Sequence, residues 1–145
     1  MTARPEVQEL RGELSRMSRR FRAQADQLHP GLSFAAYFLL ARMDGEESVP
    51  FGTLVAAAGL NKSTTSRQLT ELWHEGLVER DPAPEGGRAI VYRLTDAGRE
   101  RLAAAESVMD EGVARQVSSW SRADIVTLAR LLHRYNHPGE PEADA

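Results

Sequence analysis

The densest chemistry in this 145-residue chain is the run Lys62-Ser63-Thr64-Thr65-Ser66-Arg67-Gln68, where long cations, hydroxyls and an amide follow one another with no carboxylate until Glu71. On a helix, such a run suits contact with a polyanion. Hydroxyls and cations reach phosphate oxygens, and the first backbone N–H groups of the helix add donors for negative charge. A guanidinium can pair bidentately with guanine and a carboxamide with adenine. Arg67 is therefore the candidate for a guanine contact and Gln68 for an adenine contact. Arg67 as a phosphate clamp, or as an ordinary solvated arginine, remains an open alternative. Ser-Thr-Thr-Ser is equally what a poor helix former tolerated at a cap would look like.

No other chemistry competes with it. Gly-x-Ser-x-Gly, a phosphate-binding loop, a dinucleotide fingerprint and His-Glu-x-x-His are all absent, so no catalytic residue and no cofactor are assigned. The chain has no cysteine, which excludes a disulfide framework, thiolate metal sites and thiol redox switching. His133 and His137 stand at i, i+4, a spacing that can bind a metal. Pro138 follows at once and no neighbouring carboxylate clearly completes a set, so no metal site is assigned.

The formal charge of −3 does not announce a nucleic-acid binder. The last residues, however, carry Glu140, Glu142 and Asp144 and no base, and without those three the balance is zero. A neutral body binds a polyanion if its cations share one face, so position decides. Arginines at 4, 11, 16, 19, 20 and 22 interrupt the N-terminal segment. They leave no apolar signal core, and no run elsewhere is long enough to span a bilayer, so a cytoplasmic location is expected.

The elements that must position the cluster can be read from periodicity and caps. Val7, Leu10, Leu14, Met17, Phe21 and Leu28 form a heptad-like stripe on a long first helix, expected to stop at His29-Pro30-Gly31. Ser33 caps a second helix over 34–43, and residues 51–58 form a short third helix ended by Gly59. Asn61 caps a helix from 62 to about 75 that buries Leu69, Leu72 and Trp73 and ends at Gly76. Two helices across the turn Gly59-Leu60-Asn61 make a helix-turn-helix. Residues 77–80 and 89–94 read as strands. Between them Pro82, Pro84, Gly86 and Gly87 are poorly suited to paired strands, so that stretch is the tip of a hairpin wing. Thr95 caps a long helix carrying Leu102, Ala105, Met109, Val113 and Trp120, and Ser121 with Asp124 opens a last helix carrying Ile125, Leu128, Leu131, Leu132 and Tyr135. The expected fold is mainly α with a small β-hairpin wing in a single domain over 1–145. A winged lobe at about 33–95 is flanked by helices at 5–30 and 96–136, and residues 138–145 form a disordered tail.

The helix-turn-helix, the run Leu72-x-x-x-Gly76-Leu77-Val78-Glu79-Arg80 and the close Leu94-Thr95-Asp96-Ala97-Gly98-Arg99 together resemble the MarR family of bacterial regulators. The likeness covers nearly the whole chain. It implies a homodimer held by the N- and C-terminal helices, which offers two recognition helices and two wings to an inverted repeat in double-stranded DNA. The terminal apolar stripes, found independently, call for such partners, the alternative being that they fold back on one monomeric core. By the same resemblance Arg88 is the wing-tip arginine that enters the minor groove. The family usually has an aspartate two residues earlier, where this chain has Gly86, and Glu85 is the available substitute. The DNA-binding candidates are then Lys62, Ser63, Thr64, Thr65, Ser66, Arg67, Gln68 and Arg88.

The resemblance also implies a repressor released by a small, often phenolic or aromatic, effector. Tyr37, His29 and Trp73 are possible lining residues, but none is assigned. An effector-independent activator or architectural DNA-binding protein is the first alternative. A helical protein-interaction module that keeps the winged fold is the second, and only this last predicts no salt-dependent DNA binding.

Overall fold

A computed structural model describes residues 4–28 and 32–139. The expected helix stop at His29, Pro30 and Gly31, and the acidic residues from Glu140 onward, lie outside the described residues. The elements are α1 (Pro5–Leu28), α2 (Phe34–Met43), β1 (Val49–Pro50), α3 (Phe51–Ala58), α4 (Lys62–His74), β2 (Val78–Pro82), β3 (Ile90–Leu94), α5 (Asp96–Gln116) and α6 (Arg122–Asn136). The chain separates into two compact units, Met1–Met109 and Asp110–Ala145, with the division inside α5.

In the first unit, leucines from every layer meet in one core. Leu39 and Leu40 of α2, Leu54 of α3, Leu69 and Leu72 of α4, Leu77, Val78 of β2, Leu94 of β3 and Leu102 of α5 are all buried. The caps are those the sequence implies. Ser33 Oγ accepts from the Ala36 N–H at 3.1 Å, and Asn61 Oδ1 accepts from the Thr64 N–H at 2.8 Å. Each side chain thus satisfies a donor that a helix start leaves unpaired. Gly76 closes α4 with φ of 73°.

The hairpin is longer than expected, and it carries a third strand. Val49 and Pro50 of β1 pair with Tyr92 and Val91, giving the order β1-β3-β2. Two residues are too few to show alternation, which is why β1 is invisible in the sequence. Pro82 corrects the expectation that proline lies beyond the paired residues: it ends β2 opposite Ile90. The Ala83 N–H donates to the Ala89 carbonyl at 2.9 Å. Because inward hydrogen bonds alternate along an antiparallel pair, the residue before Ala83 points its nitrogen away from β3. A proline there loses no ladder bond.

The start of α5 is tied to the end of α4. Thr95 Oγ1 donates to the Gly76 carbonyl at 2.6 Å and accepts from the Gly98 N–H at 3.0 Å, while the Thr95 N–H donates to the Leu77 carbonyl at 3.1 Å. Gly98 is required by this closeness, since a Cβ there would collide with the Leu77 carbonyl oxygen. The Leu-Thr-Asp-Ala-Gly run that closes the wing is in this way a packing joint between helix and strand.

α1 keeps its stripe on the surface. Val7, Leu10 and Met17 are exposed, and Leu14 and Phe21 are half-buried. In the second unit, α6 buries none of its residues, and Ile125, Leu128, Leu131 and Tyr135 are exposed along one stripe. Val113 of α5 and Trp120 are exposed as well. Among the described residues, no helix is long and apolar enough to cross a membrane.

Candidate nucleic-acid interface

α4 sorts the predicted contact residues by their angle around the helix. Lys62, Ser63, Ser66 and Arg67 are exposed, and with Phe51 of α3 they line one open depression of about 460 Å³. Thr64 is half-buried. Thr65 corrects the sequence reading. Its side chain is fully buried, and its hydroxyl donates to the Asn61 carbonyl at 3.1 Å, so it packs into the core and has no path to a ligand. The 3.6-residue period dictates this, since Thr65 shares a face with Leu69 and Leu72.

Gln68 is half-buried and already engaged. Its Oε1 accepts from Ser33 Oγ at 2.7 Å and its Nε2 donates to Glu71 at 3.0 Å. The amide links α4 to the cap of α2. To read an adenine it would have to give up both bonds, each worth about 0.5–1.5 kcal/mol net. Of the predicted contact residues on α4, the exposed ones are therefore Lys62, Ser63, Ser66 and Arg67.

The cations of the winged lobe divide cleanly. Residues 33–109, the lobe together with the first part of α5, contain eight Lys and Arg side chains. Arg42 pairs with Glu46, Arg99 with Asp96 and Arg101 with Glu75. Arg93 on β3 bridges two acids of β2, Glu79 at 2.8 Å and Asp81 at 2.7 Å. These carboxylates hold the Arg93 guanidinium above its ordinary pKa, first through the hydrogen bond it donates to Glu79 and then through the charge of Asp81. Arg80 lies over the Trp73 ring, 3.7 Å from its centroid. The three that remain, Lys62, Arg67 and Arg88, have no ion pair or stacking partner among the described residues.

Two of those partnerships were not legible beforehand. Trp73, expected in the core, stands 36% exposed with one face covered by Arg80, a cation–π contact that needs the register of β2 against α4 to be known. The Arg93 bridge needs the pairing of Glu79 with Arg93 across the hairpin. Alternation hints at both but fixes neither.

At the wing tip, Arg88 is exposed and no ion pair joins it to Glu85, so the substitute partner is not engaged. Gly86 and Gly87 have φ of 82° and 91°. An aspartate at position 86 would be strained in this backbone, so the turn here accommodates glycine and excludes the usual side chain. Of the residues weighed as effector contacts, Tyr37 packs on the core and Trp73 lies under Arg80, while His29 is outside the described residues. Among the described residues, no group of three His, Asp or Glu side chains is arranged to hold a metal ion.

Comparison with known proteins agrees with this geometry. The IclR helix-turn-helix domain family matches residues 39–82, the stretch from α2 through the end of β2. The chain is 29% identical over 111 residues to the uncharacterized HTH-type transcriptional regulator YdgJ of Bacillus subtilis, a match covering 74% of this chain and 68% of that protein. It is 29% identical over 94 residues to the HTH-type transcriptional repressor IacR of Pseudomonas putida, covering 65% of this chain and 55% of that one. Among solved structures, a mutant MarR from E. coli superposes with a TM-score of 0.76 at 17% identity, covering 94% of this chain and all of the other. BpsR of Bordetella bronchiseptica, described in terms of regulation of DNA binding by 6-hydroxynicotinic acid, gives 0.74 at 18% identity over 89% of this chain and 99% of its own. The family match ends before β3 and α5, whereas the structural likeness to the mutant MarR covers 94% of this chain. The protein is a helix-turn-helix protein built on the winged fold of the MarR regulators.

Proposed function

We propose that the protein is a homodimeric, sequence-specific regulator of transcription that binds duplex DNA through α4 and the β2–β3 wing. One observation carries the reading. Of the eight Lys and Arg side chains in residues 33–109, the three without an ion-pair or stacking partner among the described residues are Lys62 and Arg67 on the recognition helix and Arg88 on the wing tip. The other five are committed to the lobe itself. Cations left unpaired on the two elements that a winged helix presents to DNA are available to displace counterions from phosphate.

Dimerisation is supported by the apolar stripes of α1 and α6, which the subunit leaves exposed. Two symmetry-related recognition helices then demand an inverted repeat with half-sites about one helical turn apart. Repression relieved by a small aromatic acid is the regulatory mode we propose. The support is that IacR is named a repressor and BpsR is described as regulated by 6-hydroxynicotinic acid.

The test is selection of bound fragments from genomic DNA by the purified protein, followed by anisotropy titrations on the selected site at several salt concentrations. A shared inverted repeat and a steep fall in affinity with salt are expected. Binding that is weak, unselective and insensitive to salt would overturn the DNA reading in favour of a protein-interaction module. Titration of the complex with hydroxylated aromatic acids separately tests the effector, and DNA affinity unchanged across such a panel would remove it.

A further inference from the structure

Among the residues that line the depression beside α4, Phe51 is the one without a polar side chain. The others, Lys62, Ser63, Ser66 and Arg67, are linked by i, i+3 and i, i+4 spacings and so share one face of the helix. Phe51 reaches the same depression from the first position of α3, directly after Pro50 of β1. It is half-buried. The side chain packs against the hydrophobic core, its ring centroid 6.4 Å from that of Tyr92 with planes inclined by 47°. The pairing of Pro50 with Val91 holds the backbone behind it. An aromatic surface is thus fixed in place amid cations and hydroxyls. Phosphates and most groups on a base edge are polar, and covering the ring with them would strip their water with no hydrogen bond in return. The exception in the major groove is the 5-methyl group of thymine, the one apolar group a base edge carries there, and phenylalanine is among the side chains that pack on it.

We infer that Phe51 is a specificity-determining residue that reads the 5-methyl group of a thymine, seated in the depression between α3 and α4 and next to the base pair that Arg67 contacts. The inference rests on the DNA-binding reading of α4 and adds one base that the site selects. The labour divides by chemistry. Lys62 and Arg67 attract the duplex through charge, a contribution that weakens as salt rises. The contact of ring with methyl removes apolar surface from water and carries no charge. The preference for thymine should therefore stay constant over a range of salt in which the affinity itself falls steeply.

The experiment is anisotropy titration of the full chain on the selected operator, with each thymine of one half-site replaced in turn by deoxyuridine. That replacement keeps the base pairing and removes only the methyl group. At one position it should weaken binding about three- to five-fold, the worth of one buried methyl, by the same factor at low and high salt. Phe51→Gln should bind the thymine and deoxyuridine operators equally, and Phe51→Leu, which stays apolar, should keep the preference. The ratio is taken within one protein sample, so a partly unfolded variant does not distort it. A second readout uses wild type alone. With 5-iododeoxyuridine at the sensitive position, iodine stands where the methyl stood, and irradiation should cross-link it to Phe51, as read by mass spectrometry. Steep, salt-dependent operator binding with no deoxyuridine effect, a thymine preference kept by Phe51→Gln, or a cross-link to another residue would overturn the role of Phe51 and leave the DNA reading standing. Unselective binding that ignores salt would overturn both.

Discussion

Arg67 and Arg88 should fail in different ways when truncated. Arg67 stands on the exposed face of α4 beside Ser63 and Ser66. If it reads a base, Arg67→Ala costs about 1–3 kcal/mol on the selected operator, relaxes the preference at one position per half-site and costs much less on scrambled duplex. If Arg88 enters the minor groove, as the proposed function has it, it meets a surface where discrimination is largely A·T against G·C. Arg88→Ala should weaken operator and scrambled DNA alike and reduce the salt slope by about one. Glu85→Ala should change neither, because no ion pair joins it to Arg88. Titrations of the three variants at several salt concentrations check this, and an Arg88→Ala protein that binds like wild type would take the wing out of the interface. A second residue-level outcome concerns pH. Burial pushes the Tyr92 hydroxyl above the usual tyrosine range, with Arg80 pulling weakly the other way. The folded state then favours the neutral phenol. That contribution is fully present below about pH 10, the unfolded value, and is lost as pH rises through the higher folded one. Melting temperatures from pH 8 to 11 should therefore fall less in Tyr92→Phe than in wild type.

At the scale of elements, the joint between β2 and α5 makes a differential prediction. Gly98→Ala drives a methyl group into the Leu77 carbonyl and should destabilise the lobe by about 1–3 kcal/mol or more, since backbone cannot step aside cheaply. Gly52→Ala in α3 meets nothing within 4 Å and should be neutral or stabilising by up to about 1 kcal/mol. Chemical denaturation of the two variants reads the contrast, and equal effects would mean that Gly98 does not mark a close approach. The same joint shows what the sequence could and could not disclose. Helix starts were legible to within a residue or two, because Ser33, Asn61, Thr95 and Ser121 each act on their own first turn, but α5 ends at Gln116 and leaves Trp120 off the helix it was expected to join. Features that depend on register between elements were not: the β1 pairing, Pro82 inside the ladder, and Trp73 under Arg80. Within the contact cluster the composition was right and the angular sorting incomplete. A run of seven polar residues on a helix must send some of them inward: Thr65 is buried, and Thr64 and Gln68 are half-buried.

For the molecule as a whole, the exposed stripes set the expected assembly. Light scattering at micromolar concentration should give a dimer, and Leu128→Glu on α6 should shift it toward monomer. Leu128 is already 40% exposed in the single subunit, so that variant should retain its helical signal. A wild-type monomer would overturn the assembly. Oxidants supply another whole-chain test. With no cysteine in the sequence, DNA binding should be indifferent to low peroxide and to dithiothreitol, and a rapid, thiol-reversible loss would contradict it. The outward nitrogen of Pro82 has a consequence for behaviour in a crowded solution. β2 is an open margin of the sheet, and an open margin templates strand-by-strand growth between molecules. A ring where the next donor should stand, next to the acids Glu79 and Asp81 with their arginine clamp, denies an incoming strand both a hydrogen bond and a flat, uncharged track. The wing can thus remain long and exposed enough to reach a ligand without seeding fibrils.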